Sequence, residues 1–229
     1  EEKLKSAANR LKKSFGRSTF RFYNLGFSPQ FRFCLQNEIC PVPEKEMTRA
    51  EIELHRKDIA DRDIRNLRIN GDKLGDTERK VLENLEKYWK NKDPDVVLIN
   101  RGQVLKLLRR KIEEKNLDFS LGRIDNFQKL AGGNTVSSYG KTVHSSARYN
   151  LPGRIVIDKS NSFLLGDATI EGLWDLVERS YRPMQELAWG SIGRLLTSIE
   201  VKKAYLEQNT VTPYKNWSGE KPKKASTLH

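Results

Sequence analysis

The apolar residues between Gly75 and Pro94 recur at the spacing of one helix face, at positions i, i+1, i+4, i+7 and i+8. A set with this period buries one side of an α-helix. Proline cannot continue a helix, so Pro94 marks its end. The segment is therefore predicted to be a core helix, against which the rest of the chain must pack. Its inward residues are Val81, Leu82, Leu85, Tyr88 and Trp89.

Other segments show helical or strand periodicity. Thr48 and Glu51 form a capping-box pattern at the start of one predicted helix. Strands are indicated where apolar residues alternate with polar ones or form short runs. The predicted helices are 3–15, 48–69, 76–93, 101–116, 121–131, 167–182 and 184–207. The predicted strands and hairpins are 19–24 with 30–36, the run DVVLIN at 95–100, and RIVIDKSNSFLL at 154–165.

These elements predict an α+β fold, a mainly α-helical single domain with two short β-hairpins and basic terminal extensions. We divide the chain into an amphipathic basic arm (1–18), a core domain (19–208) with a basic loop (132–154), and a basic tail (209–229). A chain of 229 residues is long enough to bury a sizeable core.

The positive charge is concentrated in three places. The chain has a formal net charge of +12. Residues 1–33 carry eight basic and two acidic residues, 132–154 carry three basic and no acidic residues, and 208–229 carry four basic and one acidic residue. In 44–69, by contrast, seven cations are balanced by seven anions, as on a solvated helix face. Basic segments of this kind attract polyanions, because neutralised phosphates release counterions. Tails that serve only solubility are the alternative.

The loop 132–154 is rich in hydroxyl groups and contains no acidic residue. Its tyrosines are candidates for stacking on bases and its cations for holding phosphates. A contact surface for another subunit is the competing interpretation. Its Gly-Lys-Thr does not make a P-loop, since Thr135 stands where the first glycine is required. The candidate binding residues in this loop are Tyr139, Lys141, Arg148, Tyr149 and Arg154.

The triplet Phe-Arg-Phe occurs twice, at 20–22 and 31–33, on either side of a Gly/Ser/Pro turn. Two pairing strands would bury the phenylalanines on one face and leave the arginines on the other. This predicts an outward basic face that contacts phosphates rather than a platform of stacked aromatic rings. The candidate binding residues at this end of the chain are Lys12, Lys13, Arg17, Arg21 and Arg32.

The sequence favours a non-enzymatic protein that binds RNA or DNA backbones within a nucleoprotein assembly, such as a nucleocapsid, a coat or a ribosome-associated particle, beside other protein subunits. The first alternative is an architectural subunit that contacts only proteins. The second is a Mg²⁺-dependent nuclease using Asp95, Glu113 and Lys115. Those sites place the Glu and Lys on a strand, whereas Arg109–Glu113 has the i, i+4 spacing of a helix pair.

No catalytic residue, cofactor or metal site is predicted. Cys34 and Cys40 are too few for a zinc site, and the three histidines are scattered. Two thiols indicate a reducing intracellular compartment, either cytoplasm or an organelle matrix. The sequence shows no secretory signal pattern and no apolar run of about 18 residues that would span a membrane.

Overall fold

The computed structural model describes residues 2–15, 27–42, 46–131, 133–138, 141–145, 147–160, 162–190 and 192–207. Within them the fold is α+β and mainly helical, as the sequence predicts. The helices are α1 (Glu2–Phe15), α2 (Pro29–Gln36), α3 (Arg56–Asp61), α4 (Glu78–Lys92), α5 (Gln103–Glu114), α6 (Phe163–Ser180), α7 (Met184–Ala188) and α8 (Ile192–Leu206). The strands are β1 (Arg49–Glu53), β2 (Arg68–Ile69), β3 (Asp72–Lys73), β4 (Val96–Ile99), β5 (Gln128–Ala131), β6 (Asn134–Ser138), β7 (Lys141–Ser145), β8 (Arg148–Asn150) and β9 (Ile155–Asp158).

Residue contacts separate two compact units. One holds the described residues of Glu1–Val42 and Glu171–His229, and the other those of Pro43–Ile170. The sequence interpretation had placed 19–208 in one core domain. The tail 209–229 lies outside the described residues.

A five-stranded mixed sheet organises the unit Pro43–Ile170. Its strand order is β3-β2-β1-β4-β9. Strands β1, β4 and β9 are parallel to one another. Strand β2 pairs antiparallel with β1, and β3 pairs antiparallel with β2. All four residues of β4 are buried, as expected for a strand covered on both faces. Leu85 and Trp89 of α4 and Leu108 of α5 join the same apolar core as the sheet.

The other unit has a smaller core. Phe31 and Leu35 of α2 cluster with Val201 of α8. The buried guanidinium of Arg182 lies 4.1 Å from the centroid of the Phe31 ring, and it donates to Ser198 Oγ and to Glu186 Oε2 at 2.6 Å each. Both cysteines are free thiols, and burial raises the pKa of Cys34.

Several sequence predictions are confirmed. The core helix between Gly75 and Pro94 is α4, and Thr77 caps its first turn by accepting from Lys80 N. The run DVVLIN contains β4, and the helices predicted at 3–15, 101–116 and 167–182 correspond to α1, α5 and α6. The last predicted helix is divided into α7 and α8.

The predicted strand 30–36 is wrong, because this segment is helix α2. Ser28 Oγ accepts a hydrogen bond from Phe31 N at 3.1 Å, and Pro29 occupies the first turn. Both are helix-start signals, and they outweigh the alternation of Phe and Arg. The partner segment 19–24 lies outside the described residues.

The long helix predicted at 48–69 is also wrong. Its residues form β1, α3 and β2 instead. Thr48 does not cap a helix, since its Oγ1 donates to Asp95 Oδ2 at 2.9 Å. Asn70 and Gly71 both have positive φ, +51° and +87°, the requirement of a two-residue hairpin turn, here between β2 and β3.

Two further predictions fail at the end of this unit. The helix predicted at 121–131 is irregular up to β5, and Ile124 is 64% exposed rather than buried. The hairpin predicted at 154–165 is the single strand β9, which pairs in parallel with β4 and is followed by α6.

Candidate nucleic-acid interface

The predicted loop 132–154 is largely β structure, which corrects the sequence interpretation. β5 pairs antiparallel with β8, and β6 pairs antiparallel with β7. We call residues 128–150 the ribbon. Ser138 pairs with Lys141 in the register of β6 and β7.

An aromatic stack anchors the ribbon at the end where Gln128 pairs with Asn150. The Phe127 ring, immediately before β5, lies 5.2 Å from the Tyr149 ring of β8 at an interplanar angle of 25°. The guanidinium of Arg109 lies 5.0 Å from the centroid of the Phe127 ring, and its Nη1 donates to Phe127 O at 3.2 Å. We call Arg109, Phe127 and Tyr149 the root. The root ties both chain ends of the ribbon to helix α5.

The ribbon is cationic throughout its sequence. It contains Lys129, Lys141 and Arg148 and no aspartate or glutamate in 23 residues. Lys129 is exposed and Arg148 half-buried, and the Lys141 backbone lies in β7. The helices of the same unit contain acidic residues as well as cations, and several of these form ion pairs. Examples are Lys90–Glu86 at 2.6 Å and Arg109–Glu113 at 2.7 Å.

The predicted residues in the Glu1–Val42 part of the chain have different environments. Lys12 and Lys13 occupy the last turn of α1, with Lys13 exposed. Arg32 of α2 is half-buried, with its guanidinium 6.0 Å from the centroid of the Phe27 ring. Arg17, Arg21 and Tyr139 lie outside the described residues.

Two predicted residues are buried. Tyr149 is only 7% exposed, and its ring packs on Phe127 in the root. Its burial also raises its pKa. Arg154, predicted to hold a phosphate, is 9% exposed. Both side chains therefore make their contacts inside the protein.

Arg154 holds three backbone segments together. Its guanidinium donates to Asp93 Oδ1 at 2.7 Å, to Pro94 O at 2.5 Å and to Leu121 O at 2.8 Å. Burial lowers the pKa of Arg154, and the Asp93 carboxylate partly offsets this effect. A hydrogen bond from Arg123, and to a smaller extent one from Arg154, lowers the pKa of Asp93 below its usual value. The network fixes the amino ends of β4 and β9.

A second polar region lies at the carboxyl ends of β1 and β4, where open α/β sheets commonly bind ligands. Glu53, His55, Arg68 and Asn100 help to line a cavity of about 340 Å³ there. Lys159 Nζ contacts Glu51 Oε1 and lies 3.9 Å from Glu53 Oε1. An ammonium therefore already neutralises part of the negative charge at this edge.

The residues of the nuclease alternative have other partners. Asp95 accepts from Thr48 N at 3.0 Å and from Arg123 Nη2 at 2.7 Å. Glu113 lies on helix α5 and pairs with Arg109. In the part of the chain that the structure describes, no three His, Cys, Asp or Glu side chains are grouped as they would be around a metal ion.

The same described ranges contain no helix with the length and apolar composition needed to cross a membrane. No protein-family model matches the chain, and no curated protein sequence matches it.

The sequence does not identify two residues of this region. The sequence predicts a helix at Lys129, because its place in a strand depends on the distant pairing of β5 with β8. Arg109 was interpreted only as half of an i, i+4 pair, although it also stacks on Phe127. No local pattern predicts that stacking, because 18 residues separate the two side chains.

Proposed function

We propose that the protein binds the phosphate backbone of RNA or DNA, largely without reading sequence, as a non-enzymatic component of a nucleoprotein assembly. The ribbon carries this proposal, because it consists of two antiparallel strand pairs, is anchored at the root, and has a sequence that is cationic and free of acids. Each phosphate that it neutralises would release counterions and so favour binding.

The shape of the ribbon supports the same proposal. Two-stranded β-ribbons fit the major groove of a duplex. Serine and threonine hydroxyls, which the segment 134–145 holds in number, are common phosphate donors. A ribbon that is anchored before binding loses less conformational entropy on binding than a flexible loop would.

The cations of the other unit are a separate group of proposed contacts. Lys12, Lys13 and Arg32 are the described members of that group. We leave Tyr149 and Arg154 out of the proposed contacts, because both are buried.

One observation favours the protein-binding alternative. Ile192 and Leu196 are one turn apart on α8, and they are 54% and 55% exposed. Exposed apolar residues on one helix face can mark a contact with another protein. Such a contact would weaken little with added salt, which separates it from phosphate binding.

The experiment compares two double variants over a salt series from about 50 to 200 mM. Lys129→Ala/Lys141→Ala removes two ribbon cations. Lys87→Ala/Lys92→Ala removes two cations from α4 and is the matched control. Fluorescence anisotropy of a labelled single strand and a labelled duplex gives the affinity at each salt concentration, and circular dichroism verifies folding.

The ribbon variant is expected to lower the slope of log affinity against log salt by about 1.4 for a single strand and by about 1.8 for a duplex, since each phosphate contributes about 0.7 or 0.9. The control should keep the wild-type slope. Equal slopes in both variants, or no binding of wild type at low salt, would refute the proposal.

A further inference from the structure

A small cavity lies beside the root of the ribbon. Its volume is about 140 Å³. Phe127 is part of both the root and the cavity wall, and Arg109 lines the same space. The other apolar lining includes Leu117, Phe119, Leu121, Ile124 and Pro152.

The volume of this root cavity is close to that of one ring. A protein cavity of about 150 Å³ lined by apolar side chains accommodates benzene. One six-membered ring is therefore comparable in volume to the root cavity. Phe119 supplies aromatic surface on which a planar ring can pack, whereas the Phe127 ring already contacts Tyr149 and Arg109.

The polar groups of the cavity define which ring is favoured. Glu113 and Asp125 both line it. Arg109 uses two of its five N–H donors inside the protein, with Nε donating to Glu113 at 2.7 Å and Nη1 donating to Phe127 O, and the others can donate to a ring nitrogen or a carbonyl oxygen. Asp125 is exposed at the cavity, so its carboxylate offers acceptors to an entering ligand. Acceptors favour an amino group and disfavour both a carbonyl oxygen and a phosphate.

The position of the cavity relates it to the proposed backbone contacts. Lys129 follows Phe127 by two residues, which is about 7 Å along an extended strand. A cation that can hold a phosphate thus follows, two residues along the chain, a residue of the pocket wall. This arrangement suits a nucleotide whose base has left the stack.

We infer that the root cavity binds one unstacked cytosine base of a strand held by the ribbon. Cytosine has a single six-membered ring, and its N4 amino group donates to carboxylates. Thymine and uracil present a carbonyl oxygen at the same position and would face the Asp125 carboxylate unfavourably. This inference rests on the proposed function and adds a base preference to it.

The test uses three labelled single strands of thymidines that differ at one central position: deoxycytidine, thymidine or an abasic site. Wild type is expected to bind the cytosine strand at least about fivefold more tightly than the other two. Asp125→Asn should reduce this preference, because an amide both accepts and donates and so discriminates less. Asp118→Asn, an exposed carboxylate of the same segment that does not line the cavity, should retain it.

Outcomes separate the inference from the function on which it rests. Equal affinity for all three strands, with the salt dependence intact, would overturn the cytosine pocket and leave backbone binding standing. If Asp118→Asn also lost the preference for the cytosine strand, the cytosine pocket would be overturned, because the preference would then depend on the total charge of the protein. Absence of any binding at low salt would refute both.

Discussion

Replacement of Arg154 by methionine tests whether this arginine is a structural tie or a phosphate contact. Methionine has a similar length and no donor, so Pro94 O and Leu121 O both lose the Arg154 hydrogen bond. Leu121 O still accepts from Trp89 Nε1 at 2.8 Å. Asp93 keeps Arg123, and its side chain is 57% exposed, so no charge is left buried and unpaired.

The expected cost follows from these contacts. Removing one partner of a fully buried ion pair costs about 3–5 kcal/mol. Here the carboxylate faces solvent, and the loss consists mainly of charge-assisted bonds to two carbonyls. We expect Arg154→Met to lower the free energy of unfolding by about 2–4 kcal/mol. Arg123→Met, with a side chain 37% exposed, should cost about 1 kcal/mol.

Urea unfolding followed by tryptophan fluorescence measures this difference, and Trp89 lies close to the mutated site, with its ring centroid 5.7 Å from the Arg154 guanidinium carbon. The salt dependence of nucleic-acid binding should be unchanged in Arg154→Met under conditions where the variant is folded. A loss of stability below about 1 kcal/mol, or a shallower salt slope, would refute the structural assignment.

Two further predictions concern the backbone and acid stability. Gly153 has a φ of +83°, and a Cβ added there would lie 2.7 Å from Arg123 Cβ. Gly71 has a φ of +87°, but a Cβ added there would have no atom within 4 Å. In urea unfolding, Gly153→Ala should therefore lower the free energy of unfolding by more than about 2 kcal/mol, and Gly71→Ala by about 1 kcal/mol. The pKa of Asp63 is lowered from 3.8 to about 2, chiefly by a hydrogen bond from Arg65. The stabilisation that this ionised carboxylate contributes is present above pH 3.8 and is lost as the pH falls toward about 2. Asp63→Asn should therefore flatten the pH dependence of the unfolding free energy between these two values. An unchanged pH dependence would contradict this prediction.

The sequence predicts well those elements that are specified locally. Helix α4 has a complete apolar face and a proline stop, and the structure confirms it. The buried run of β4 is likewise recognisable by itself. In both cases the local periodicity and the final packing agree, so no distant contact is needed to choose between alternatives.

The sequence-based predictions are wrong where an element depends on a partner that is distant along the chain. The alternation of Ala50 and Ile52 in β1 competes with a capping-box pattern, and its parallel pairing with β4 decides in favour of a strand. Ser28 and Pro29 were interpreted as a hairpin turn although they equally signal a helix start. In the candidate site, sequence analysis identified the cationic segment but not its ribbon form, nor the burial of Tyr149 by Phe127.

The parallel arrangement of the sheet has a consequence for the order of folding. The ribbon pairs within residues 128–150, so it can form as soon as those residues are synthesised. β4, however, must wait for residues 155–158 before β9 covers its open edge. Non-local pairing of this kind is slow. A nascent or truncated chain ending before Ile155 would thus expose a wholly apolar strand edge, which is a site for aggregation and for chaperone capture.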